Sequence, residues 1–217
     1  MTLSELPARL SVTQITKKFR GETDSLSLRL RRPKFASAGG ELTGAERGTA
    51  IHTFFQYCSF DNAISSPADE IDRIRAMNYI TAAEASSISI PNVTAFFESG
   101  LYARIKRAGR VWREKKFMVA VSQLDIENEL MQKLKSSDGM IKGIIDLMFE
   151  EDGSIVIVDY KSDRGTSAER LAQRYSTQLR LYRSAIELTL KMPVKEAFLY
   201  SFELREQIPV KLQEAGL

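Results

Sequence analysis

The stretch MIKGIIDLMFEEDGSIVIVDYKSD, residues 140–163, decides how the rest of the chain is read. Two β-branched, apolar runs flank Asp152-Gly153, the signature of a two-residue β-hairpin. In that register Glu151 faces Ser154 and, counting outward from the turn, Asp146 faces Asp159. The two carboxylates form a non-hydrogen-bonded pair with Cα atoms about 4.5 Å apart. Lys161, two residues beyond Asp159, points to the same face. Facing carboxylates repel unless something neutralises them, and a hard divalent cation does this well. A protonated lysine is no metal ligand, but it can stabilise negative charge on a reacting phosphate or orient an attacking water. Ile155–Val158 is apolar on both faces, which marks an interior strand rather than an exposed hairpin. Asp146, Asp159 and Lys161 are therefore the candidate catalytic residues, and Mg²⁺ is the expected cofactor.

Outward from this stretch the character differs on the two sides. The segment VWREKKFMVAVSQLDI, from Val111, reads as a strand whose basic centre interrupts the alternation. Upstream of it the chain is mostly helical. Thr43-Gly-Ala-Glu46 and Thr81-Ala-Ala-Glu84 are capping boxes, and Ser66-Pro67 starts another helix. Ile51, Phe54, Phe55, Cys58, Ile71, Ile74 and Met77 sit at core spacing. One further helical stretch runs from about Asn92 to Gly109, through Val93, Phe96, Phe97, Leu101 and Ile105. Residues 1–42 show little periodicity beyond SVTQI. Downstream, a long helix starts at Thr166 or Ser167, where Thr166-Ser-Ala-Glu169 reads as a third capping box. It carries Leu171, Tyr175, Gln178, Leu179, Tyr182 and Ile186, and strands at about 195–203 and 207–212 follow. The order argues for one domain over residues 1–217. Its first part, 1–110, is helical, and a mixed α/β core occupies 111–217.

Composition bounds the function. The chain has 217 residues, 43% hydrophobic and 27% charged, as expected of a soluble globular domain. No apolar run approaches the roughly 18 residues of a membrane span, and the N-terminus does not read as a secretory signal, so a cytoplasmic protein is expected. Cys58 is the only cysteine, which excludes an internal disulfide and an iron–sulfur cluster built from this chain alone. The net charge of +3 is weakly compatible with nucleic acid. Arg104, Lys106, Arg107, Arg110, Arg113, Lys115 and Lys116 form one basic group, and Arg31, Arg32 and Lys34 a smaller one. Solvated surface and phosphate-contacting surface are equally good readings of both groups. Considered alone, His52 on a helix with apolar neighbours reads as a structural histidine. Gln178 and Tyr182, one helical turn apart, read as the polar edge of a packed helix.

Together these residues resemble a known family. Gly143-Ile-Ile-Asp146 followed by Asp159-Tyr-Lys-Ser-Asp163 is similar to the G-x-x-D and D-Y-K-[ST]-D motifs of the RecB-like branch of PD-(D/E)XK nucleases. The leading Pro is absent. ERGTAIHTFFQ resembles that branch's upstream histidine motif, and Gln178-Leu-Arg-Leu-Tyr182 its Q-x-x-x-Y motif. The likeness covers nearly the whole chain and is strongest to the C-terminal nuclease domains of AddA-type helicase–nucleases. It implies a restriction-endonuclease-like α/β fold: a mixed sheet flanked by helices, with a helical N-terminal region. It also implies metal-assisted hydrolysis of DNA, expected to be exonucleolytic, in double-strand break processing and recombinational repair. His52, Asp146, Asp159 and the Tyr160 backbone carbonyl would bind Mg²⁺, with Mn²⁺ able to substitute. Gln178 and Tyr182, with Tyr175 as a lesser candidate, would hold DNA, expected to be single-stranded. Glu114, in REKKF, is a candidate supporting acid. No G-x-x-x-x-G-K-[ST] loop occurs, so the chain is expected to be an excised domain. Its partners would then be helicase domains of the same parent polypeptide and an AddB-type subunit, with no membrane involved. The alternatives are a catalytically silent nuclease-like scaffold that binds DNA or a partner, and a generic nucleic-acid-binding module using the 104–116 segment.

Overall fold

The computed structural model describes residues 9–19, 42–124 and 139–212. The basic group Arg31, Arg32 and Lys34 lies outside the described residues, as does the Gly39-Gly40 pair. A six-stranded mixed sheet carries helices on both faces. β1 (Arg9–Ser11) and α1 (Val12–Phe19) come first. Six helices follow: α2 (Gly44–Tyr57), α3 (Phe60–Ser65), α4 (Pro67–Ala76), α5 (Ala82–Ser87), α6 (Ile90–Phe97) and α7 (Gly100–Arg107). Then come β2 (Val111–Ala120), β3 (Met140–Glu151), β4 (Ser154–Lys161), α8 (Ala168–Leu190), β5 (Val194–Ser201) and β6 (Glu206–Pro209).

The hairpin register is as counted from the turn, from Glu151↔Ser154 to Leu147↔Val158. Asp152 and Gly153 adopt φ of 52° and 72°, as a primed turn requires. β4 then pairs in parallel with β5, and α8 makes the crossover such a pair needs. Each face of the sheet has its own core. α1 and α8 pack with Ile141, Ile145, Met148, Ile155, Ile157 and Leu199. On the other face, α2 and α4–α7 enclose an aromatic cluster with Phe149, Val158, Tyr160, Phe198 and Tyr200. β4 is buried on both faces because it lies between these layers.

Some sequence expectations are corrected. The stretch from Asn92 to Gly109 is two helices, because the Ser99 side chain caps a new start at Gly100 by accepting from the Tyr102 amide, 3.1 Å away. The long helix is capped by Ser167, which accepts from the Arg170 amide, so the Thr166 box does not form. Met77 is 51% exposed, since α4 ends at Ala76 and its helical spacing no longer applies. SVTQI is part of the core: β1 lies parallel to β3, and Val12 and Ile15 are buried.

Candidate active site

Asp146 and Asp159 lie where β3 and β4 part. β2 occupies one edge of β3 over most of its length. The other edge is shared, β1 taking Met140–Lys142 and β4 taking Leu147–Glu151. The residues between, Gly143–Asp146, face a gap in that edge. The facing rung expected for Asp146 and Asp159 is therefore not part of the ladder. The Asp146 carboxylate instead accepts the Tyr160 amide at 2.8 Å, an N–H that a continued ladder would have directed to a β3 carbonyl. In extended chain the N–H and C=O of one residue leave by the same edge, so the Tyr160 carbonyl also faces this gap.

Asp146 is also where β3 changes face. Ile145 lines the α1/α8 core, yet Leu147 lines the opposite one, which strict alternation forbids. Its neighbour across the β2 ladder, between the rungs Arg113↔Leu147 and Lys115↔Ile145, is Glu114. Glu114 has a left-handed φ of 50°, an uncommon conformation for a non-glycine residue. Its carboxyl pKa is raised, first by burial and then by the Asp146 charge. The interruption read in WREKKF thus has a structural cause, and it places Glu114 beside Asp146 and His52.

His52 arrives from the helical layer, its Nδ1 3.1 Å from Asp146 Oδ1. Two close approaches put it there. α2 begins with the Thr43 capping box, and one turn later Gly48 meets the chain after β4, where an added Cβ would lie 2.6 Å from Ser162 Oγ. One turn further along the same face, Phe55 and Tyr160 pack with ring centroids 5.0 Å apart, and the Tyr160 ring stands edge-on to His52. Gly143 is equally constrained: a Cβ there would lie 2.4 Å from Phe117 Cζ. These contacts give physical reasons for two glycines of the motifs.

The opposite layer supplies α8. Gln178 Nε2 donates to Asp159 Oδ1 at 3.1 Å and to the Tyr182 hydroxyl at 2.8 Å. Its Oε1 accepts from Lys161 Nζ at 3.5 Å, so both amide hydrogens and the carbonyl oxygen have partners. Lys161 Nζ lies 2.6 Å from Asp159 Oδ2, but off the line of a hydrogen bond, leaving that buried oxygen without a directed donor. Nζ also sits 3.8 Å from the centre of the Tyr175 ring, whose hydroxyl donates to Asp163. Gln178 and Tyr182 are buried behind the carboxylates, and the polar groups of all three α8 side chains make hydrogen bonds within the protein. Asp163 is legible in the sequence only as a motif letter; its partners place it.

Charge is unevenly matched. Burial pushes the Asp146 carboxyl up, but His52, Lys161 and the Tyr160 amide outweigh it and hold the carboxyl low. Asp159 is raised, chiefly by burial and then by the neighbouring Asp146, against the opposing pull of Lys161. Burial lowers the His52 pKa, but Asp146 and Asp159 bring it above its ordinary value. Among the described residues no three His, Cys, Asp or Glu side chains are already gathered as a metal cage. The donor set nonetheless suits a hard cation: a buried carboxylate with an undirected oxygen, a second, half-buried carboxylate, an imidazole and a carbonyl facing the same gap.

The 104–116 segment divides. Arg104 pairs with Glu151 and Glu196 and lies over the Phe149 and Phe198 rings. Arg113 donates to the Phe55 and Cys58 carbonyls at the end of α2. Both are structural ties. Lys116 is exposed on the strand that carries Glu114.

A family model described as the PD-(D/E)XK nuclease superfamily matches residues 25–215. The chain belongs to that superfamily. Curated relatives of this nuclease domain include an ATP-dependent helicase/nuclease subunit from Clostridium acetobutylicum, 28% identical over 96% of the chain and 18% of the relative. Its counterpart from Alkaliphilus metalliredigens is 33% identical over 94% of the chain and again 18% of the relative. The chain thus spans under a fifth of the length of these relatives. The six-stranded mixed sheet flanked by helices fits the restriction-endonuclease-like fold of the nuclease superfamily. Among the described residues no helix is long and apolar enough to cross a membrane.

Proposed function

We propose that this nuclease domain cleaves DNA phosphodiesters with Mg²⁺, preferring single strands and acting as an exonuclease. It would work in the cytoplasm within a helicase–nuclease that also contains an AddB-type subunit. One observation carries the chemistry: a buried and a half-buried carboxylate at the parting of β3 and β4, with Lys161 against the first and His52 against the second. His52, Asp146, Asp159 and the Tyr160 carbonyl would hold the ion. A bound divalent cation would polarise the scissile phosphate and lower the pKa of a water in its shell. Lys161, held at the site by Asp159 and Gln178, would place positive charge where negative charge develops on the phosphate. Gln178 and Tyr182 would fix Asp159 and Lys161 from behind, in addition to the contact with the DNA strand that the motif implies for them and, as a lesser candidate, for Tyr175. Glu114 would serve as the supporting acid beside Asp146. The helicase/nuclease naming of the relatives supports the wider setting.

Labelled single-stranded DNA incubated with Mg²⁺ tests the reading. Wild type should cleave, and Asp159→Ala and Lys161→Ala should each lose at least about a hundredfold in kcat. DNA bound but uncut by the wild type would support the silent scaffold instead. Cleavage unaffected by Asp159→Ala would remove this site from the chemistry altogether.

A further inference from the structure

We propose that Tyr175, with Asp163 as its anchor, is a positioning residue that holds Lys161 through the face of its ring. The inference rests on the role given to Lys161 above. A lysine ammonium has three N–H donors on a stem with four rotatable bonds, so its charge is ill-defined in space unless several directions are fixed. Here three directions are. Asp159 Oδ2 lies 2.6 Å away, Gln178 Oε1 3.5 Å, and the Tyr175 ring centre 3.8 Å. An aromatic ring attracts a cation over its face and not at its edge, so the contact works only if the ring plane is set.

Asp163 sets it. The Tyr175 hydroxyl lies 3.0 and 3.1 Å from the two Asp163 oxygens, which fixes the far end of the ring. Arg174 Nη1, 3.2 Å from Asp163 Oδ1, steadies the carboxylate in turn. Burial keeps the phenol protonated, so it is the donor. A phenol that donates to a carboxylate is polarised toward a more negative ring face, which strengthens its hold on Nζ. Tyr175, Gln178 and Tyr182 lie at positions i, i+3 and i+7 of α8, one face that meets the site. Asp163 and Lys161 are two residues apart in the chain that leaves β4. The same five-residue stretch, Asp159-Tyr-Lys-Ser-Asp163, therefore carries an acid, the lysine and the anchor of the ring that holds the lysine. A ring serving only as packing would not need its hydroxyl fixed at both carboxylate oxygens.

Two measurements on the 217-residue chain test this. The first is the chemical shift of the Lys161 ε-methylene in ¹³C-labelled protein under chelator, assigned by its disappearance in Lys161→Arg. It should be displaced upfield by the ring in wild type and less so in Tyr175→Phe, whose ring has lost its anchor. It should return to the ordinary lysine position in Tyr175→Leu and move part-way in Asp163→Asn. The second is cleavage of labelled single-stranded DNA with Mg²⁺. Tyr175→Leu should lower kcat about tenfold with KM changed less than about twofold, and Tyr175→Phe, which keeps the ring but loses its anchor, should recover part of that loss. An unmoved methylene in Tyr175→Leu would overturn the proposal, as would a loss confined to KM or a Phe variant as impaired as Leu. Absence of cleavage by wild type would count against the nuclease reading alone, and the methylene shift would then decide the positioning.

Discussion

His52 and Asp146 form a contact whose strength depends on pH from both sides. Their pair is 3.1 Å long, with the imidazole side chain 32% exposed and the carboxylate 12%. His52 has its pKa raised above 6.5 in the fold, so its contribution to stability is full below that value and is lost as pH rises through the higher folded value. Asp146 is lowered below 3.8, so its contribution is present above that value and lost only on acidification through the lower folded value. Both act fully between about 4 and about 6.5, the ordinary values of the two groups. In chelator, wild type should therefore melt above His52→Gln by on the order of 2–4 °C at about pH 5.5, with the gap narrowing as pH rises beyond 6.5. Thermal melts across that range check it; a gap that widens with pH would mean that the imidazole is neutral in the fold. No such pairing can be read from ERGTAIHTFFQ alone. A lone histidine among apolar neighbours carries no sign of a partner 94 residues away.

Elements are more legible than contacts, for a physical reason. A two-residue turn fixes hairpin register by geometry, so the pairing from Glu151 to Leu147 follows from Asp152-Gly153. What the count does not contain is the third strand: β1 competes with β4 for one edge of β3, and the ladder stops short of Asp146. Helix boundaries are ambiguous where two caps are near one another, as at Thr166 and Ser167, because either could satisfy the first amides. Glycine in the β3 motif also acquires its reason from a neighbouring element. The Gly143 position faces Phe117 on β2, which itself stands edge-on to Tyr182 on α8, so the ring has little room to retreat. Gly143→Ala should lose about 1–3 kcal/mol, measured by urea unfolding. Gly143→Ala combined with Phe117→Leu should regain part of that loss. If the double substitution is additive, the close approach is not the cause.

Across the whole molecule, the site is where two separately packed layers meet one sheet. His52 comes with the aromatic layer of α2, while Gln178 and Lys161 face the layer of α8. A cation that drew Asp146, Asp159 and His52 together would therefore stabilise both layers at once. A ligand at a hundred times its Kd adds about 2.7 kcal/mol, and each 1 kcal/mol shifts Tm by roughly 2–4 °C at this chain length. Titrating Mg²⁺ or Mn²⁺ into chelator-treated protein should then raise Tm by roughly 5–10 °C. Trp112, the only tryptophan, packs against the α8 core, whereas most of the short helices belong to the other layer. Trp fluorescence and far-ultraviolet circular dichroism thus weigh the two layers differently, and the two melts should move together if the ion links them. Asp159→Asn should remove most of the rise and His52→Ala part of it. A shift seen by one probe alone would place the ion in one layer, away from the β3–β4 divergence. No shift with either metal would mean that these four groups do not form the ligand set, whatever the chain does to DNA.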